Sequence, residues 1–236
     1  KTIQKTLEQL ENENKQFKNE LIQYNTVIKL ETDIKSQKET ILCLKYYFNS
    51  YYESILLFLQ KMEFLQKDYI VSKKGILATY IQETHCLAFI DYIIKTNYLQ
   101  DLSAIDIASL LSCFSMIRIK DDVKINNVQN IPITNSSLKK SITILTEIYD
   151  NYLIEESKST DINMDNLTIS YELISYIYDW CNSKDEDSCK LVLQNCKSTY
   201  EIFTGEFIKV ILKINNITNE LKNIAEYIGN VELLHK

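Results

Sequence analysis

Residues 202–233 read IFTGEFIKVILKINNITNELKNIAEYIGNVEL. Phe207, Ile211, Ile214, Leu221, Ile224 and Ile228 recur at helical spacing and form one apolar stripe. Lys209, Lys213, Asn216, Glu220 and Asn223 form a second stripe, polar and spaced four and three. The pattern predicts a helix over about 203–228, closed by Gly229 as its C-terminal cap. The polar stripe is either an ordinary solvated helix face or a surface that meets an anionic partner.

The rest of the chain points to the same secondary structure. Three glycines and one proline in 236 residues leave few turn signals, so long helices are expected and a sheet-rich fold is not. From Ile3 the apolar positions run Ile3, Leu7, Leu10, Phe17, Leu21, Tyr24 and Ile28, a heptad seam with Asn14 as its one polar member. A second seam follows in Ile41, Leu44, Phe48, Tyr51, Ile55, Phe58, Met62 and Leu65. Two equal arms around the polar stretch 29–40 favour an antiparallel helical coiled-coil hairpin as a stalk over residues 1–66. The rival is one continuous helix with a skip, since Val27, Leu30, Ile34 and Ile41 also fit helical spacing. Residues 67–81 change period. Tyr69, Ile70 and Val71 are β-prone and Gly75 allows a turn, so a link with at most a short β element near 68–80 is expected there.

From residue 82 onward the pattern is helical again, over about 82–98, 103–119, 135–156, 167–182, 188–198 and 203–228. Ser103 with Asp106, and residues 134–137, supply capping groups, and the polar joints 121–133 and 156–166 read as surface loops. The expected fold is all-α, a helical stalk followed by a helical bundle over 82–236.

Composition excludes several functions. The formal charge is −6, with Arg118 the single arginine, so nucleic acid could be met only by a local basic stripe. No apolar run is long enough for a membrane span and no export pattern is present, so an intracellular chain that meets no membrane is expected. The sequence begins at Lys1 inside a helical pattern, which suggests a piece of a longer polypeptide. Cys43, Cys86, Cys113, Cys181, Cys189 and Cys196 lack paired metal-ligand spacing and are expected to be reduced, mostly buried thiols of a reducing compartment. The glycines lie too far apart for a phosphate loop, so no nucleotide site is expected in this chain. His85 and Cys86 are adjacent on a predicted helix and diverge, which fits a surface His and a packed Cys rather than a dyad. Asp185, Glu186 and Asp187 sit at a helix start as capping acids, and Trp180 ends an apolar face. No catalytic and no metal-binding residue is assigned.

Four phrases in order carry a resemblance: KKGILATYI (73–81), LSAIDIASLLSCF (102–114), IYDWCNS (177–183) and the long stretch 202–233. Together, over about 62–236, they resemble the DSHCT domain that ends superkiller-like, exosome-type DExH-box RNA helicases. The resemblance implies two RecA-like motor domains upstream, where ATP and magnesium act, then a winged-helix element of which 67–81 is a remnant. An arch stalk for docking partners, exosome-like or other, projects from that element in the family, a place residues 1–66 would fill, and the bundle comes last. It implies a 3′ to 5′ helicase whose C-terminal bundle guides single-stranded RNA leaving the motor. Its last helix carries a Glu-Gly pair, an Arg and then an Arg pair along the RNA. Here Gly205 matches the glycine, Lys209 the first Arg and Lys213 the second of the pair, while Thr204 and Leu212 replace the Glu and the other Arg. These departures thin the positive charge and exchange planar bidentate donors for point charges. Lys209, Lys213, Asn216, Glu220 and Asn223 are the candidate RNA contacts. The alternative is a stand-alone helical scaffold whose stalk forms a coiled coil with another chain, with RNA irrelevant.

Overall fold

The computed structural model describes residues 2–13, 15–158 and 167–236. The chain divides into two compact units, residues 1–53 and residues 54–236. It is all-α: helices α1 (Thr2–Glu13), α2 (Lys15–Lys61), α3 (Lys73–Ala78), α4 (Cys86–Lys95), α5 (Ala104–Leu111), α6 (Ser136–Ser157), α7 (Ile174–Asn182), α8 (Glu186–Tyr200), α9 (Thr204–Ile228) and α10 (Val231–His235). The one β feature among the described residues is an isolated Leu65–Val71 bridge.

The first unit corrects the hairpin expectation. Residues 29–40 are helical throughout, inside the 47-residue α2, so the chain does not reverse there. No glycine or proline interrupts this stretch. Its threonines fold their hydroxyls back onto the helix: Thr32 Oγ1 donates to the Ile28 carbonyl at 2.8 Å and Thr40 Oγ1 to the Ser36 carbonyl at 3.0 Å. Over Lys15–Lys61 the rival reading of an unbroken helix holds, with the seams out of phase by one residue, since Ile28 to Ile41 falls one short of two heptads. One residue turns a helix by about 100°, so the second stripe lies on a different side of the helix from the first. Leu21, Tyr24, Ile28, Ile41, Leu44 and Phe48 are all exposed. Asn14 lies outside the described residues.

The second unit is a bundle whose core is built from α4, α5, α6, α7 and α9. On α6 the buried positions Leu138, Ser141, Ile142, Leu145, Ile148, Tyr149 and Tyr152 follow helical spacing and face α4. Its tyrosines reach partners instead of leaving hydroxyls stranded. Tyr149 bonds Thr84 at 2.8 Å, Tyr152 donates to Asp91 at 2.6 Å, and Ser141 bonds Tyr92 at 2.6 Å. The α5 start is a capping box of Ser103 and Asp106. The Asn135 side chain, which caps α6, also donates to Asp106 at 2.7 Å and ties the two helix starts together. Asp185 caps α8 and Gly229, at φ 69°, caps α9. Trp180 packs against Phe207, ring centroids 5.2 Å apart.

The first six residues of KKGILATYI form α3, capped by Ser72, rather than a turn. Lys74 donates to the Met62 carbonyl at 2.7 Å, lies 4.1 Å from the Phe64 ring centroid and pairs with Asp91. Gly75 is required for close approach: a Cβ there would overlap the Phe64 carbonyl oxygen. The turn itself is made by Tyr69, which has φ 64°.

Three further expectations need correction. The helix predicted over 103–119 ends at Leu111 and passes through a 3-10 turn, Ser112–Phe114, into irregular chain. Ser112 and Ser115 hydroxyls bond back to the carbonyls of Ser109 and Ser112, competing with helix continuation. The helix predicted from 167 begins only at Ile174, because 167–173 docks on its neighbours: Ser170 N–H donates to the Cys113 carbonyl at 2.9 Å, and buried Glu172 accepts the Ile125 N–H at 3.0 Å. Of the six cysteines only Cys113 and Cys196 are buried, while Cys43 on α2 and Cys181 on α7 are exposed. Most of the predicted loop 156–166 lies outside the described residues. Among the described residues no helix is long and apolar enough to cross a membrane.

Candidate nucleic-acid interface

Helix α9 buries Phe207, Val210, Ile214, Ile217, Leu221, Ile224 and Ala225. That face is centred on Val210 and Ile217 more than the sequence stripe suggested. It turns the polar stripe outward, and the stripe divides into two parts with different surroundings.

The middle of the stripe is closed by the segment 82–85. Glu220 accepts the Gln82 N–H at 3.1 Å and the Glu83 N–H at 3.4 Å. Lys213 pairs with the Glu83 carboxylate at 2.7 Å and also donates to the Glu83 carbonyl, and Asn216 donates to the same carboxylate at 2.9 Å. Lys213 beside it holds the Glu83 carboxyl below the usual range, against partial desolvation, while burial raises that of Glu220. The same segment is anchored by Thr84 on Tyr149 and by His85. The imidazole, read from sequence as a helix-surface group, instead caps α4: its Nδ1 accepts the Ala88 N–H at 3.1 Å. Burial pushes the pKa of His85 down to about 4.

The beginning of the stripe is open. Two adjoining cavities, of 390 and 480 Å3, run beside the first half of α9 and share Arg118, Glu206 and Lys209. The opposite wall comes from residues 115–120, where exposure alternates. Met116, Arg118 and Lys120 are exposed while Ile117 and Ile119 are half-buried. Lys120 pairs with Glu201, whose carboxylate raises the lysine's pKa. Neither Arg118 nor Lys209 has a carboxylate partner among the described residues. Gly205, in the first turn of α9, lines the second cavity, and a Cβ there would meet nothing. At the far end of the stripe Asn223 is exposed. Among the described residues no three His, Cys, Asp or Glu side chains gather as metal ligands.

The structure thus brings Gly205 and Lys209 to one groove, sets Lys213 and Glu83 at the edge of its first cavity with the Lys213 amine engaged by Glu83, and commits Asn216 and Glu220 to the same internal contact. Arg118 and Lys120 were missed from sequence, where Arg118 was absorbed into the predicted helix 103–119 and Lys120 fell just past its end. Two signals pointed to them: the alternation of IRIK (117–120) and the position of the only arginine.

A family model, the DSHCT (NUC185) domain, matches residues 68–236. The chain belongs to the DSHCT family. Such domains occur in superkiller-like DExH-box RNA helicases, and this chain is a helicase-associated C-terminal region. No curated protein matches it. All the residues of the groove and of the 82–85 contact fall inside the DSHCT match.

Proposed function

We propose that this DSHCT region guides single-stranded RNA leaving the motor of an ATP-dependent 3′ to 5′ helicase. ATP and magnesium act in the RecA-like domains of the parent polypeptide, and the bundle supplies a wall of the strand's path. The observation that carries the reading is Lys209, unpaired among the described residues and set with Gly205 in an open groove, on the helix where the family carries arginines along RNA. A lysine and a backbone without a Cβ suit contact with phosphate. Lys213, Asn216 and Glu220 hold the groove's wall through the segment 82–83, and Asn223 extends the polar path to sugar or base edges. The exposed apolar residues of α1 and α2, Ile3 to Tyr52, supply a docking surface for a protein partner such as an exosome-like assembly.

Photo-crosslinking of a 4-thiouridine RNA to the 236-residue chain, followed by mass spectrometry, tests the assignment. Crosslinks are expected within 204–213 and 115–120. Crosslinks confined to α1 and α2, or none at all, would contradict it.

A further inference from the structure

Residues 115–120 leave the 3-10 turn with extended backbone at Ser115 and reach extended backbone again at Lys120. The alternation between them sets Arg118 and Lys120 on one side. Both line the 480 Å3 cavity that Gly205 and Lys209 border from α9. Among the lining residues three cations face two carboxylates, Glu201 and Glu206, an excess of one positive charge, while Asp122 acts on Lys120 from outside the lining. Glu206 is engaged by the Phe203 N–H at 3.1 Å, and Glu201 by Lys120. Glu201 is also held in the left-handed region, φ 58° and ψ 23°, at the C-cap of α8, a place where glycine is usual. A carboxylate is thus kept in this cavity at a backbone position that disfavours a side chain.

We propose that Arg118, Lys120 and Lys209 hold one backbone phosphodiester of a single strand, and that Glu201 is the internal anion this phosphate displaces from Lys120. The proposal rests on the strand-guiding reading for the source of the phosphate. A phosphodiester carries one negative charge and matches the cavity's single positive excess. A free phosphate, closer to two charges, exceeds it. Arg118 supplies the planar, bidentate donor that α9 lacks where Leu212 stands in place of an arginine. The phosphate-binding fork has in effect moved from the helix to the facing extended segment.

The test is binding of a short 5′-labelled oligouridylate to the 236-residue chain, followed by fluorescence anisotropy over a salt series. Arg118→Ala is expected to weaken binding about fivefold and to reduce the salt slope by about 0.7, one counterion's worth for a single strand. Arg118→Lys is expected to keep the slope while losing part of the affinity. Glu201→Gln is expected to strengthen binding about threefold, because it removes the competing anion. Inorganic phosphate at millimolar concentration is expected not to compete. If it does compete, the cavity takes free phosphate and the proposal falls. If Arg118→Ala and Glu201→Gln change nothing while Lys209→Glu weakens binding, the phosphate site is overturned and the strand-guiding reading stands. If the wild-type chain does not bind, or none of these variants alters binding, both are overturned.

Discussion

The two parts of the α9 polar stripe are equivalent in sequence and opposite in structure. Lys213, Asn216 and Glu220 meet Gln82 and Glu83, where each polar group finds a partner. One turn earlier, Lys209 and Gly205 face residues 115–120 across an open groove. The same four-and-three spacing therefore serves as a clasp in one place and a free surface in the other. What separates them is the wall opposite: a carboxylate with backbone amides in the first case, a second cation in the second. A polar stripe on a helix takes its role from its neighbour, and only the open part is left for a ligand.

The clasp is expected to be the part sensitive to acid. A neutral His85 caps α4 directly beside it, with its pKa depressed to about 4 from an ordinary 6.5. A base whose folded pKa is lowered gives stability that is complete above the unfolded pKa and lost as pH falls toward the folded one. Between pH 6.5 and about 4 the loss is about 2–3 kcal/mol, after a discount for partial exposure. Glu83, with its lowered pKa, adds a loss in the same direction at lower pH, whereas Glu220, with its raised one, partly offsets it. Urea unfolding of wild type and His85→Asn at neutral and acid pH isolates the histidine. The variant keeps a capping side chain and should be markedly less acid-sensitive; equal sensitivity would remove His85 from the account.

Smaller effects follow from Glu220 and from two glycines that differ in the same way as the two walls. Gly75→Ala forces a Cβ into the Phe64 carbonyl and should cost about 2 kcal/mol, read as a lowered melting temperature. Glu220→Ala strips the acceptor from the Gln82 amide, which is exposed, and the Glu83 amide, which is part-buried, and should cost about 1 kcal/mol by the same assay. Gly205→Ala meets open space at an ordinary helical φ, so it should stabilise by about 0.5–1 kcal/mol while weakening RNA binding. A stabilised Gly205→Ala chain with unchanged RNA affinity would separate that glycine from the groove's function.

Much of the fold was legible because the scarcity of glycine and proline and the three-and-four spacing leave helices as the one consistent reading. Helix α9, its Gly229 cap, the Ser103–Asp106 box and the Asp185 cap all followed from local chemistry. The hairpin in 1–66 did not, since equal seams imply a reversal only if a turn stands between them, and 29–40 contains neither glycine nor proline. His85 was misread because an imidazole cap depends on a single N–H three residues on, which periodicity does not display. The clasp was invisible for a different reason. It joins residues about 130 positions apart, and nothing in either local pattern marks the other as its partner. Arg118 lay within reach of the pattern, but a helical reading of 103–119 scattered it away from Lys120 instead of setting the two side by side.

The most direct test of the division within α9 compares Lys209→Ala with Lys213→Ala in two readouts, melting temperature and the salt dependence of oligouridylate affinity. Lys209→Ala should reduce the salt slope by about 0.7 and leave the melting temperature unchanged. Lys213→Ala should lower the melting temperature and leave the slope unchanged, because its amine is engaged with Glu83. The reverse outcome, a slope that changes with Lys213 and not with Lys209, would contradict the assignment of the open groove to RNA.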